Sequence, residues 1–271
     1  MSAVDAREWL GLQPTHNPMR WHLPVTPALS VRSRFLFGGA ALGAAVAALE
    51  ATTDRPVVWA TAQYLSYAPV DSVMDLDVTI AVSGHRTSQA RVIGHVGENE
   101  ILTVNAALGQ RDFDLEESWP EMPSVRPPDE CEPRDTTYYE AESLGQHLEQ
   151  RWALAPDGEH RGGPTGQGAG RVCVWAQPPA ALGPSAATLA VLGDWVPMGL
   201  STLAGRSISS NSLDNTIRIL SVVPGEWYLL EIEGAGIRNG FGHGQLRIWA
   251  QSGNLMAIAS QSVVVRERRN R

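Results

Sequence analysis

The sequence contains no lysine, and its 21 positive charges are therefore all arginine, against 29 carboxylates and a net charge of −8. A protein that binds nucleic acid in general needs a basic stripe to offset the phosphate charge, so this balance argues against a nucleic-acid partner. Only two cysteines occur, Cys131 and Cys173, and their spacing fits no CxxC metal or redox motif. We therefore expect reduced thiols in a cytoplasmic protein.

Long apolar runs are also absent. No segment has the roughly 18 continuous apolar residues that a membrane helix needs, and the nearest candidate, 36–49, is short and rich in Ala and Gly. The amino terminus carries Asp5, Arg7 and Glu8 and lacks the apolar run of a signal peptide. The sequence predicts neither a membrane partner nor export.

Several common catalytic patterns are missing as well. The seven histidines show no His-x-x-x-His or similar spacing, so we expect no metal, and nothing else indicates a cofactor. The Gly-x-Ser-x-Gly elbow of serine hydrolases is absent. The Gly-rich stretch 158–170 lacks the Gly-Lys-Ser/Thr ending of a phosphate loop and is predicted to be a mobile loop.

An internal repeat is the most informative feature that is present. Residues 84–108 can be laid over residues 240–264, and both read as strand, Gly-containing turn, strand. Four identities recur at the same offset, as Gly84/Gly240, Gln89/Gln245, Arg91/Arg247 and Gly97/Gly253. A chain of this length holds one large domain or two of about 135 residues. The repeat favours one fold used twice.

The order of predicted elements repeats too. In the first half Gly38 and Gly39 open an alanine-rich helix that runs to about Thr52, with so little side-chain bulk that other backbone can pack closely against it. In the second half a helix opens at Pro184 and runs through Asp194. Several antiparallel strands follow each helix, the second set spanning 212–265. The predicted fold is an α+β double hotdog, in which two central helices are each wrapped by a curved antiparallel sheet.

The two halves are separated by a stretch of different composition. Residues 112–143 contain clustered carboxylates and five prolines without an apolar period, which is typical of a linker. We therefore predict an N-terminal hotdog at 1–111, a linker at 112–143 and a C-terminal hotdog at 144–271, which begins with a strand at 145–154.

Four short motifs resemble the thioesterase II family of double-hotdog acyl-CoA thioesterases. They are Phe37-Gly-Gly39, Gly193-Asp194, Ser212-Leu-Asp214 and Ala257-Ile-Ala-Ser-Gln261. The resemblance implies hydrolysis of an acyl-CoA substrate by a water held by Asp194, Ser212 and Gln261, in a cytoplasmic enzyme of fatty acid metabolism that could form homo-oligomers. It also implies that the N–H groups of Gly39 and Ala40 face the second half and stabilise the oxyanion.

These residue types suit the chemistry. A carboxylate can orient a water and take its proton, while a hydroxyl and an amide fix the remaining hydrogen bonds. Asp194 lies in an apolar setting that would raise its pKa and favour a role as base, although a carboxylate that merely caps a helix is the alternative. At the repeat offset Gln261 corresponds to Asn105, and the first half has no hydroxyl matching Ser212. One site per chain, in the second half, is expected.

Two other functions stay open at this point. The segment 193–199 partly matches the Gly-Asp-x-Asn-Pro-Leu-His signature of hotdog enoyl-CoA hydratases, but Val196 replaces the Asn and Gly199 replaces the His. The strand after Ser212 reads Thr-Ile-Arg-Ile-Leu-Ser, where the family usually has an aromatic-rich run ending in His-Arg-Pro. A non-catalytic hotdog that binds an acyl thioester is therefore the second alternative.

Overall fold

The computed structural model describes residues 5–31, 34–155, 170–205 and 208–268. Its helices are α1 (Ala6–Leu10), α2 (Gly38–Thr53), α3 (Leu144–His147), α4 (Ala186–Leu192) and α5 (Val196–Ala204). Its strands are β1 (Gln13–Pro14), β2 (Arg20–Pro24), β3 (Val57–Tyr64), β4 (Val73–Ser83), β5 (Thr87–Val96), β6 (Asn99–Gly109), β7 (Glu132–Pro133), β8 (Glu149–Leu154), β9 (Arg171–Gln177), β10 (Ile208–Ser212), β11 (Asp214–Ile219), β12 (Tyr228–Arg238), β13 (Phe241–Ala250) and β14 (Leu255–Glu267). Residues 158–169 of the predicted Gly-rich loop lie outside the described residues.

All of these strands join one antiparallel sheet in the order β1-β2-β4-β5-β6-β3-β11-β14-β13-β12-β9-β8-β7, with β10 beside β14. The strands of the two halves are arranged nearly symmetrically on either side of the β3–β11 pair. The halves meet at this pair, where the hydroxyls of Thr61 and Thr216 lie 2.7 Å apart. Hairpins β5–β6 and β13–β14 occupy equivalent places, and Gly97 and Gly253 have positive φ at their turns. The two hairpins that the repeat predicts are confirmed.

Helices α2 and α4 lie side by side inside this sheet because their contact surfaces carry almost no side-chain bulk. A Cβ atom at Gly39 would lie 2.6 Å from the carbonyl oxygen of Val191, and one at Gly43 would lie 2.9 Å from that of Ala187. Only glycine allows backbone to approach so closely. The close packing predicted from the alanine-rich helix is thus observed, and the fold is the predicted double hotdog.

The second half differs from the sequence prediction in two places. Helix α4 ends at Leu192, two residues before Asp194, and α5 begins at Val196 with Pro197 in its first turn. The predicted strand at 145–154 begins only at Glu149, because residues 144–147 form the short helix α3. The break between α4 and α5 matters for function, since it places Asp194 outside regular helix.

The stretch predicted as a linker packs on the outer face of the C-terminal sheet. Cys131 lies in a small buried cluster with Cys173 and Trp175, and Met122 and Val125 pack against that cluster. The indole N–H of Trp175 donates to the carbonyl of Arg126, at 2.9 Å. Both cysteines are free thiols. The division of the chain at 111 and 144 stays a prediction.

Among the described residues, one helical stretch, Ala186–Ala204, is long and apolar enough to span a membrane, and 72% of it is buried. Burial of this kind is typical of a core helix, and the stretch comprises α4 and α5 around Asp194.

Candidate active site

Asp194 lies in the break between α4 and α5 and is only 5% exposed. Its Oδ1 accepts hydrogen bonds from the Ser212 hydroxyl, at 3.2 Å, and from the Gln261 amide. The same amide nitrogen also lies 3.2 Å from the Ser212 Oγ. The structure therefore brings the three predicted residues within hydrogen-bond distance of one another.

Gln261 is oriented by Val196, which can approach because the residue opposite Gln261 is a glycine. It lies on β14 opposite Gly244, where a Cβ atom would come within 2.8 Å of Val196. With no side chain at that position, Val196 approaches, and its backbone N–H donates to the Gln261 Oε1 at 3.2 Å. This bond orients the amide so that its N–H groups face Asp194 and Ser212.

Ser212 is presented by an irregularity in the sheet. Ser212 pairs with Val263. Thr216 lies four residues after Ser212, yet its partner Ser260 lies only three residues before Val263. One extra residue is accommodated between β10 and β11, and the Asp214 carboxylate accepts the backbone N–H of Ser262 at 2.8 Å. The bulge redirects the side chain of Ser212, as bulges near active sites commonly do.

The N-terminus of α2 completes the site. The backbone N–H of Gly39 faces the Asp194 carboxylate and lowers its pKa, and a Cβ atom at Gly38 would lie 2.7 Å from the Asp194 Oδ2. Gly38, Gly39 and Ala40 form the first turn of the helix, whose N–H groups have no intrahelical acceptor. Gly39 thus lies beside Asp194 and Ala40 follows it in the first turn of α2, and their role as oxyanion donors stays a prediction.

Burial controls the electrostatics of Asp194. Desolvation raises its pKa from 3.8 to about 6, and the hydrogen bonds from Gln261, Gly39 and Ser212 lower it only in part. A carboxylate with such a pKa is largely ionised at neutral pH and yet a stronger base than an exposed aspartate.

Asp194 and Ser212 open into a cavity of about 1200 Å³. Eight aromatic side chains among the described residues line it: Phe35, Phe37, Tyr64, Tyr67, Tyr138, Tyr139, Trp152 and Trp195. The rings of Phe37 and Trp195 pack edge to face with centroids 5.3 Å apart, on either side of the α2–α4 junction. A cavity of this size and character suits a large ligand with an apolar portion.

Sequence reasoning missed Tyr64 and Asn215. The Tyr64 hydroxyl donates to the Gly38 carbonyl at 2.9 Å, and burial together with the charge of Asp194 raises the Tyr64 pKa, so it remains a donor. Asn215 is fully buried beside Tyr64, and the interaction of its amide with the Tyr64 hydroxyl offsets part of the rise in the Tyr64 pKa. Neither residue stands in a recognisable motif, so only the fold could identify them.

Within the described ranges, no group of three or more His, Cys, Asp or Glu side chains could hold a metal ion. The site itself offers a carboxylate, a hydroxyl, an amide and backbone N–H groups.

The chain resembles known thioesterases in sequence and in structure. The sequence profile described as "Acyl-CoA thioesterase C-terminal domain" matches residues 126–265, more than half of the chain. A search of curated proteins found no match. Among solved structures, a candidate thioesterase from Novosphingobium aromaticivorans is 32% identical, with 93% of this chain and 97% of that chain covered and a TM-score of 0.84.

Two further structures share the fold at lower identity. A candidate thioesterase II from Thermobifida fusca is 16% identical over 98% of this chain and 99% of its own, with a TM-score of 0.81. An acyl-CoA thioesterase II from Mycobacterium marinum is 18% identical over 97% and 99%, with a TM-score of 0.76. The profile match and the 32% identical relative place this chain, a thioester hydrolase with the double-hotdog fold, in the acyl-CoA thioesterase family.

Proposed function

We propose that the protein hydrolyses an acyl-CoA thioester to the free acid and coenzyme A, with Asp194 activating the attacking water. The observation that carries this proposal is the mutual contact of Asp194, Ser212 and Gln261 at the wall of the cavity. The substrate class rests on the family profile, which names acyl-CoA.

In the proposed step, a water binds where the carboxylate, the hydroxyl and the amide converge. Asp194 takes one proton as the water oxygen attacks the thioester carbonyl, and the tetrahedral intermediate then expels the coenzyme A thiolate, which is protonated to the thiol. General-base assistance of this kind contributes about 10²–10⁴-fold to rate. Ser212 and Gln261 hold the water and the carboxylate in line.

The carbonyl oxygen gains negative charge during the attack and needs donors aimed at it. We assign this role to the N–H groups of Gly39 and Ala40, which lie in the first turn of α2 and at the positive end of its dipole. Because the Gly39 N–H faces the Asp194 carboxylate, an oxyanion would have to share this N–H with Asp194.

The hydratase alternative conflicts with the packing around Gly199. A Cβ atom at this position would lie 2.4 Å from a methyl carbon of Ile232, so the histidine of the hydratase signature has no room. Val196, at the position of the signature asparagine, is buried and apolar. The site therefore favours hydrolysis over hydration.

The cellular setting is part of the proposal. Cys131 and Cys173 belong to one buried cluster and are free thiols, which supports a reducing, cytoplasmic compartment. A role in fatty acid metabolism and the association of copies into homo-oligomers stay predictions.

Thiol release from acyl-CoA substrates ranging from acetyl to palmitoyl tests the activity. A single turnover in ¹⁸O-water tests the mechanism, because direct attack by water puts the label in the product acid. Label in the Asp194 carboxylate would instead indicate a covalent anhydride and would refute the role of Asp194 as base. Lack of thiol release from every acyl-CoA in the series would refute the proposed substrate class.

A further inference from the structure

A set of polar donors lines the cavity wall formed by residues 133–139 and β8, and the hydrolysis step does not use them. Arg134 directly follows β7, and its backbone N–H donates to the carbonyl of Gln150 at 2.8 Å, which fixes it at the sheet edge. Its guanidinium carbon lies 5.6–5.9 Å from the ring centroids of Tyr138, Tyr139 and Trp152. The arginine is thus held in place by backbone pairing and by three aromatic rings.

No ion pair joins Arg134 to a carboxylate among the described residues. Its Nη1 donates to the Gln150 Oε1 at 2.6 Å and weakly to the Tyr139 hydroxyl at 3.5 Å, and its Nη2 donates to the Tyr138 hydroxyl. A guanidinium has five N–H donors in a planar fork that matches a carboxylate. Donors and the full positive charge therefore remain for a ligand.

Gln150 holds this arginine from within the protein. It is 2% exposed, and its Oε1 accepts from the Trp195 indole N–H at 3.1 Å as well as from Arg134, which fixes the orientation of the amide. Its Nε2 has no hydrogen-bond partner among the described residues. Since Trp195 follows Asp194 in the chain, this donor set and the hydrolytic site belong to one cavity.

The surroundings suit an acyl group with a charged end. Aromatic rings line the cavity between the two polar regions and can cover a chain of methylene groups, while they shield an ion pair from water and so strengthen it. A simple fatty acyl chain would instead leave the guanidinium without an anionic partner.

We propose that Arg134, positioned by Gln150 and by the ring of Trp152, binds a carboxylate at the distal end of the acyl group, so that thioesters of dicarboxylic acids are substrates. This inference rests on the proposed function, because it assigns the acyl specificity of the same site. An anionic group could also come from the phosphates of coenzyme A, and the experiment separates the two sources.

The test compares kcat/KM for adipoyl-CoA and hexanoyl-CoA, which have the same number of acyl carbons and differ in the terminal carboxylate. The wild type is expected to favour adipoyl-CoA, and Arg134→Gln is expected to lower this preference by about 10- to 100-fold, the usual range for a lost charge-assisted hydrogen bond. Hydrolysis of hexanoyl-CoA should change little. Arg238→Gln, which alters an exposed arginine on the β12–β13 hairpin, is the matched control and should leave the ratio unchanged.

Gln150→Glu provides a second variant that keeps the acceptor for Trp195 and Arg134. It supplies an internal carboxylate to the arginine and should also reduce the preference for adipoyl-CoA. An unchanged ratio in both variants, or a wild type that favours hexanoyl-CoA, would overturn the inference while leaving thioesterase activity in place.

Repeating the measurement with the N-acetylcysteamine thioesters of the two acids removes the coenzyme phosphates. The loss caused by Arg134→Gln should persist for the dicarboxylic substrate. If the variant instead slows both CoA thioesters equally and neither short thioester, Arg134 binds a phosphate, and the assignment is wrong. Absence of hydrolysis of any thioester by the wild type would refute the proposed function itself.

Discussion

Replacing Asp194 by Asn separates the catalytic role of this carboxylate from its structural cost. The substitution keeps the size of the side chain and one acceptor oxygen for Ser212, Gln261 and Gly39, but it removes the basic group. If Asp194 is the general base, kcat should fall by about 10²–10⁴-fold, the contribution typical of such a group. Free thiol release from a good acyl-CoA substrate measures this loss.

The same variant should be more stable than the wild type at neutral pH. Burial raises the pKa of Asp194 from 3.8 to about 6, so the folded state disfavours the ionised form. Between these two values the folded protein holds a proton that the unfolded chain has released, and stability falls as the pH rises through this window. Above pH 6 the raised pKa of Asp194 lowers the free energy of unfolding of the wild type by about 3 kcal/mol.

Thermal unfolding of both proteins from about pH 4 to about pH 8 tests this reasoning, since each kcal/mol shifts Tm by about 2–4 °C in a chain of this size. The Tm of Asp194→Asn should exceed that of the wild type above pH 6, and the gap should close towards pH 4. Wild-type kcat should decline below about pH 6 as Asp194 becomes protonated. Full activity in the variant would refute the role as base, and a gap independent of pH would refute the electrostatic explanation.

Three further substitutions test other parts of the site. Ser212→Ala removes a hydrogen bond that lowers the pKa of Asp194, so the acidic limb of the pH–rate profile should move to higher pH and kcat should fall about tenfold or more. An acidic limb at the wild-type pH would contradict the contact between Ser212 and Asp194. Gln261→Glu keeps an acceptor for the Val196 N–H but places a second carboxylate beside Asp194. Activity at neutral pH should therefore be lost and the pKa of the carboxylate pair should rise, which a pH profile of residual thiol release measures. Gly39→Ala forces a methyl group against the Val191 carbonyl and should destabilise the fold by about 1–3 kcal/mol. In the control Gly225→Ala the added carbon meets nothing closer than 3.7 Å, so Tm should stay nearly unchanged. Equal Tm values for the two variants would contradict the close helix contact.

Much of the fold could be predicted because its signals are local and repeated. The hairpin glycines Gly97 and Gly253 recur at a fixed offset and adopt positive φ in both turns. The alanine-rich helix predicts close backbone packing, because its small side chains let neighbouring backbone approach. The prediction was less accurate around Asp194: the sequence pattern predicts one helix that runs through Asp194, whereas the first helix ends at Leu192 and a second begins at Val196, with Pro197 in its first turn.

The sequence determined the types of residue available for catalysis and their number. It has one acidic residue in an apolar helical setting, a hydroxyl at a later strand and an amide in an apolar final strand, and it lacks the serine elbow and the histidine patterns of other enzymes. It could not determine the contacts of these groups, because Asp194, Ser212 and Gln261 are 18 to 67 positions apart and meet only through the helix break and the β-bulge.

Tertiary structure alone decided the electrostatics and the shape of the cavity. The pKa of Asp194 depends on burial beneath the N-terminus of α2, which comes from the other half of the chain. Arg134 lies in a stretch whose prolines and carboxylates predict only a linker, yet β-pairing brings it to the cavity wall. Burial, desolvation and convergence of donors are properties of packing between distant segments, and no local pattern of residues encodes them.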